Sequence, residues 1–210
     1  MKTFISLSAL FLSLSLTAQS NTATWYLNDT SGNGIQSSSN TASGSVSVAM
    51  GIATTASGDF STAMGVETTA SGGRSTAMGH QTKASGDFST AIGRNTEASG
   101  KYSTALGYQT ESIGWYSTAM GSFTTASDRS SLVVGEYNLL GSTVTNSDAQ
   151  FSTDNTAFVI GNGTYINRSD AFVVKFNGDA TLAGNLNINS DARLKANIIS
   201  LGSTLSKLLQ

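Results

Sequence analysis

Residues able to recognise a ligand recur at a fixed interval along this chain. Val46, Phe60, Arg74, Phe88, Tyr102, Tyr116 and Ser130 stand 14 residues apart, with Trp115 beside Tyr116. Aromatic rings with a guanidinium among them are the side chains that dominate protein interfaces, and rings also stack on the faces of sugars. The chemistry open to Phe60, Arg74, Phe88, Tyr102, Trp115 and Tyr116 is therefore recognition of a protein or glycan. Rings set one repeat apart can equally stack on one another and only stiffen a turn. The residues alone leave both readings open.

Groups for catalysis or metal binding are sparse. The one histidine, His80, shares its interval with Val66, Arg94, Tyr108 and Ser122, as a variable surface position would. Without Cys there is neither a thiolate ligand nor a disulfide. No metal and no cofactor is expected, and the chain is not read as an enzyme.

The interval dictates what must hold these residues. Gly recurs at 51, 65, 79, 93, 107, 121 and 135, closing blocks such as Ser61-Thr62-Ala63-Met64-Gly65, and the other half of each repeat carries Ala-Ser-Gly, as at Ala56 to Gly58. Short alternating segments ended by Gly, which tolerates positive φ, suit strands and tight corners and are too short for helices. A sustained fixed period marks a stacked repeat architecture. The reading is a parallel β-solenoid with coils about 4.8 Å apart.

Stacking converts the repeat into columns. Ser at 47, 61, 75, 89, 103, 117 and 131 and Thr at 54, 68, 82, 96, 110 and 124 form two, whose hydroxyls could bond from coil to coil. Ala at 49, 63, 77, 91, 105 and 119 is all that so small a coil can enclose. Met50, Met64, Met78, Ile92, Leu106, Met120 and Val134 follow Ala directly and so point to the opposite face. If Ala fills the roll, this apolar stripe lies outside, where it marks an interface. Identical rods would bury it around a common axis, and three copies are the simplest closed packing, a homotrimer. The competing reading makes the stripe the solenoid's own core.

Composition narrows the partners. Only 11% of the 210 residues are charged, against about 25% in an ordinary globular domain, and there is no Pro. A net charge of −2 gives no footing for nucleic acid. Lys2, an apolar run from Phe4 to Leu16 and the small residues of Ala18-Gln19-Ser20 read as a signal peptide over 1–20. The run is shorter than the roughly 20 residues of a membrane span. The protein is expected outside the cell, secreted or on the exterior of the bacterial outer membrane, with no membrane insertion after the leader is removed.

The blocks Ser47-Val48-Ala49-Met50-Gly51, Ser61-Thr62-Ala63-Met64-Gly65 and Ser89-Thr90-Ala91-Ile92-Gly93 resemble the S-V-A-I-G motif of the YadA-like head of trimeric autotransporter adhesins. The likeness covers about residues 40 to 136 in seven copies. It implies a left-handed parallel β-roll, a trimer, and adhesion to matrix, host cells or one another, with an extracellular protein or glycan as ligand. The sequence to Gln210 shows neither the long stalk nor the alternating apolar segments of a membrane barrel that this family carries, so autotransport is not expected.

The fold class expected is thus all-β, a 14-residue β-roll with a short C-terminal β-segment and a C-terminal helix. Residues 21–40 are assigned to an N-terminal strand and cap, 41–136 to the head repeats and 137–189 to a degenerate repeat, Ala157 to Gly161, with a hairpin at Asn177-Gly178. Over 190–210, Ser190-Asp191-Ala192-Arg193-Leu194-Lys195 resembles the start of the self-cleaving intramolecular chaperone of endosialidase-type tailspikes. That resemblance implies attack by Ser190 on the bond after Asn189, with Lys195 as base. Only about twenty residues of such a domain are present, and a Lys195 left in water stays protonated, so the pair is expected to be inactive. Leu194, Ile198, Leu201, Leu205 and Leu208 alternate by four and three, the seam of a parallel coiled coil.

Two other functions compete with adhesion. A tail-fibre-like trimer matured by the chaperone draws on the Ser190 segment. An ice-binding solenoid draws on the Thr column at 54 to 124, although its neighbours Thr55, Thr69, Lys83, Glu97, Glu111 and Thr125 make a mixed, charged face.

Overall fold

The computed structural model describes residues 39–140 and 149–185, with the backbone of two further strands, Tyr26–Leu27 and Ile35–Gln36. The expected signal peptide, the Ser190 and Lys195 pair and the expected seam of Leu194, Ile198, Leu201, Leu205 and Leu208 lie outside the described residues, as does the expected C-terminal helix.

Every element described is a strand. Each coil holds one strand of five residues and one of two, as in Thr62–Val66 with Thr69–Ala70 and Thr76–His80 with Lys83–Ala84. Among the described residues the five-residue strands of the coils lie in a 12-stranded sheet and their two-residue strands in a 7-stranded sheet. Pairing is parallel and residue for residue one repeat apart: Ala63 faces Ala77, Met64 faces Met78 and Gly65 faces Gly79. This is the parallel solenoid of 14-residue coils that the columns require. At its N-terminal end Ile35 pairs with Val48 in parallel, and Tyr26–Leu27 folds back antiparallel on Ile35–Gln36.

The corners correct the expectation that glycine makes them. The non-glycine residues at positive φ form two columns, Ala53 to Tyr137 and Val46 to Ser130, with φ from 44° to 63°. The second is the aromatic column. Holding an L-residue there costs about 1–2 kcal/mol. The conformation is fixed by bonds to the coil before: the Phe88 N–H donates to the Gly73 carbonyl at 2.8 Å and the Tyr102 N–H to the Asp87 carbonyl at 2.9 Å. The Gly93 column serves close stacking as well. Gly93 has φ 132°, and a Cβ on it would overlap the carbonyl of Gly107 in the next coil.

Between the sheets the roll is filled by columns of Ala, Ser and Thr, which corrects the expectation that so small a coil encloses Ala alone. Ala49, Ala63, Ala77, Ala91, Ala105 and Ala119 from the long strands, and Ala42, Ala56, Ala70, Ala84, Ala98 and Ala126 from the short ones, are fully buried. The Ser and Thr columns lie inside with them. Their expected coil-to-coil hydroxyl ladder does not form. Ser47, Ser117 and Ser131 instead donate to the carbonyl three residues back in their own coil, that of Gly44, Gly114 and Asp128, at 2.6–2.7 Å. Among the described residues the Thr68, Thr82 and Thr96 hydroxyls, like those of Ser61, Ser75, Ser89 and Ser103, have no hydrogen-bond partner. Stacking places equivalent hydroxyls one coil spacing apart, beyond the reach of an O–H···O bond. Where Ser112 replaces Ala, its hydroxyl meets that of Ser117 across the roll at 2.6 Å.

Past Glu136 the period is lost and then recovered. Strand Thr156–Asn162 rejoins the long sheet with Val134 opposite Ile160 and Gly135 opposite Gly161. Asp170–Lys175 and Ala180–Leu182 extend the sheet antiparallel, joined by a turn with Gly178 at φ 94°. The short sheet stops at Thr125–Ala126. Val133 and Val159 take the inward places that Ala holds elsewhere.

Candidate functional site

Corner geometry sets the aromatic column on the outside of the rod, each ring directly above the last. Phe88 and Tyr102 stack with centroids 4.8 Å apart and planes 13° apart, and Tyr102 and Tyr116 at 4.8 Å and 3°. Arg74 inserts below them, its guanidinium carbon 5.1 Å from the Phe60 ring centre and 5.2 Å from that of Phe88. Arg129 closes the upper end at 5.2 Å from the Tyr116 ring. Phe60, Arg74, Phe88, Tyr102 and Tyr116 are thereby brought into one ladder in which two ring stacks lie between cationic contacts.

This arrangement restricts what the ladder can recognise. Ring faces inside it are taken by neighbouring rings or guanidinium groups, so they are closed to a sugar. What solvent sees are edges: Phe60, Phe88, Tyr102 and Tyr116 remain 42–53% exposed. Edges carry the positive part of the ring quadrupole, and Tyr102 and Tyr116 add a hydroxyl each. The geometry suits polar and anionic groups of a protein surface better than a sugar face.

Trp115 stands beside the ladder, partly buried, with the Lys101 ammonium 5.8 Å from its ring. Lys101 also lies 3.6 Å from Asp87, an exposed pair of little energetic weight. Arg129 was absent from the sequence-derived candidates; its place one residue before Ser130 is the signal that marks it.

A second stack joins the opposite corner near the C-terminal end, where the column that runs from Ala53 turns aromatic at Phe123 and Tyr137. Phe123 and Tyr137 stack at 4.4 Å, with Tyr108 edge-on to Phe123 at 5.2 Å. Arg168 lies 5.8 Å from the Tyr137 ring while donating to the Phe123 and Asn138 carbonyls at 3.0 and 3.1 Å. It ties the last coil to the loop that follows Asn162.

The apolar column faces outward. Met50, Met64, Leu106 and Val134 are partly buried, and Met78, Ile92 and Met120 are 36–37% exposed, while the Ala on the other side of each strand is sealed. The stripe is therefore not the core of its own roll.

Among the described residues no group of His, Asp and Glu is placed to hold a metal ion. His80 sits partly buried in its strand. The Thr54 to Thr124 column is interior, at most 1% exposed, which removes the flat hydroxyl face that ice binding would need.

Beyond the last coil, a cavity of about 540 Å³ opens where the short sheet ends, walled by Val133, Leu139, Val159, Val173, Asp128 and Asp170 among others. Burial raises the Asp170 carboxyl above its ordinary 3.8, against the opposing pull of the Leu139 N–H that it accepts at 3.0 Å.

The spans 42–68, 70–96, 85–110 and 98–124 match the family model described as the YadA head domain repeat in two copies. Those spans contain the ladder from Phe60 to Tyr116 and the apolar column from Met50 to Met120. No curated protein matches the chain.

Proposed function

We propose that this chain, whose coils match the YadA head repeat, works as an adhesin-like rod at the outer surface of a bacterium. In this reading three parallel copies bury the Met50 to Val134 stripe against one another. Each copy then holds the ladder from Phe60 to Tyr116 toward a protein on another surface. The rod acts by contact and catalyses nothing; Ser190 and Lys195 have no part in it.

One observation carries the proposal: two regular columns are exposed by a roll already filled by Ala, Ser and Thr, one wholly apolar and one aromatic and cationic. An apolar stripe running the length of a rod is a self-association surface. Exposed Tyr, Phe and Arg held rigid by stacking are the anchors a binding surface uses at low entropic cost. Export by the 1–20 leader places them where such a partner is met.

The test is binding of the purified protein to immobilised matrix proteins and to cells. Replacing Phe60, Phe88, Tyr102 and Tyr116 by Ser is expected to abolish it. A milder variant, Tyr102→Phe with Tyr116→Phe, keeps the stack and removes only the edge hydroxyls, so binding should fall severalfold at unchanged stability. Full retention of binding in the Ser variant, with the fold verified by circular dichroism, would overturn the assignment.

A further inference from the structure

The outward apolar column does not end with the coils. Register carries it on from Val134 to Ile160, from Ile160 to Phe172 and from Phe172 to Leu182. From Met50 to Leu182 every rung is apolar, over about 45 Å at the usual strand spacing.

The neighbouring column changes character in the same place. Through the coils it is Thr, from Thr62 to Thr118; then Leu132 pairs with Phe158, Phe158 with Val174 and Val174 with Ala180. A stripe one residue wide thus broadens into a patch two wide, made of Leu132, Phe158, Val174, Ile160, Phe172 and Leu182. Phe158 and Phe172 meet edge to face at 6.3 Å within it. Leu132, Ile160 and Leu182 are 37–42% exposed, and no residue of strand Asp170–Lys175 is fully buried. None of this strand pair falls in the spans that match the head repeat.

We infer that this C-terminal patch is a docking surface for a second copy of the chain, and that it anchors the assembly which the narrower stripe only continues. The inference rests on the self-association reading above. A second copy is the occupant because the patch continues the apolar column of the coils from rung to rung, so a parallel rod joined along that column meets the patch as well. Along the coils each rung offers one side chain flanked by Thr; at the patch it offers two apolar side chains, and buried apolar area drives association.

Sedimentation equilibrium of the full chain separates the possibilities. Ile160→Lys with Leu182→Lys alters exposed positions only, and Leu182→Thr serves as a second variant that keeps strand propensity; both are verified by circular dichroism. The expected result is at least a tenfold rise in dissociation constant for the Lys pair and a smaller rise for Leu182→Thr, exceeding that of Met78→Thr in the coils. Wild-type association in both patch variants, with Met78→Lys and Ile92→Lys dissociated, would overturn the anchor while leaving self-association standing. A monomeric wild type would overturn both.

Discussion

Asn138 bonds to both backbone groups of Thr125: its Oδ1 accepts the Thr125 N–H at 2.8 Å and its Nδ2 donates to the Thr125 carbonyl at 3.0 Å. Asn138 stands in the column of the buried Thr residues, one repeat after Thr124. At the other end Asn40 occupies the same column, accepting the Thr54 N–H at 2.9 Å and donating to the Gly51 carbonyl at 2.9 Å. Within the rod the equivalents of the Thr125 N–H, at Thr55 and Thr69, donate to the carbonyls of Thr68 and Thr82 in the next coil. At its ends a side-chain amide takes over, because an unpaired buried peptide group is costly.

Replacing Asn138 by Leu should therefore leave the backbone of Thr125 unpaired. The expected loss is about 2–4 kcal/mol for one donor and one acceptor. Urea unfolding read by circular dichroism measures it, and a midpoint equal to wild type would remove the capping role.

Two glycines separate close packing from mere flexibility. A Cβ at Gly93 overlaps the Gly107 carbonyl, and φ there is 132°. Gly73 lacks positive φ, and a Cβ there would touch only the Asp87 carboxylate at 3.4 Å. Gly93→Ala should cost more than about 4 kcal/mol and reduce soluble yield. Gly73→Ala should be neutral or stabilising by up to about 1 kcal/mol. Thermal unfolding of both variants makes the comparison.

Tyr102 combines a left-handed backbone, at φ 60°, with stacking on both faces. Tyr102→Ala loses both stacks, each about 0.5–1.5 kcal/mol, and keeps the backbone strain. Tyr102→Gly loses the stacks but regains about 1 kcal/mol from the backbone. The Gly variant should thus unfold at higher denaturant than the Ala variant; the reverse order would show that the corner is unstrained.

Asp170 gives a pH signature. Its carboxyl is raised by burial, so the folded chain binds that proton more readily than the unfolded one. The cost of burying the charge is present in full above the folded pKa and fades as pH falls through it toward 3.8. Asp170→Asn keeps an acceptor for the Leu139 N–H and abolishes the titration. Compared with this variant, the wild type should gain stability between neutral pH and about pH 4; parallel pH profiles of the two would show that Asp170 does not titrate as the structure requires.

The coils were legible because a repeat reports the same contacts many times. Ala at 49 through 119 could only be interior in so small a roll, and that alone sends the residues after it, Met50 to Val134, outward. The corners were less legible. Gly is the residue a sequence offers for positive φ, yet Phe60, Arg74 and Glu67 hold it, since bonds to the previous coil outweigh their preference. The Ser and Thr columns could not be assigned to a face by regularity alone, and the Thr column proved interior. Near the end, Phe123, Tyr137 and Asn138 keep the 14-residue interval, but their residue types change there from those of the coils before, and Arg168 lies outside the repeat altogether.

The central claim is that the outward stripe joins parallel copies of the rod. Light scattering of the chain from residue 21 onward, across micromolar concentrations, tests it most directly. The account predicts a mass of three chains; a mass of one chain throughout that range would contradict it.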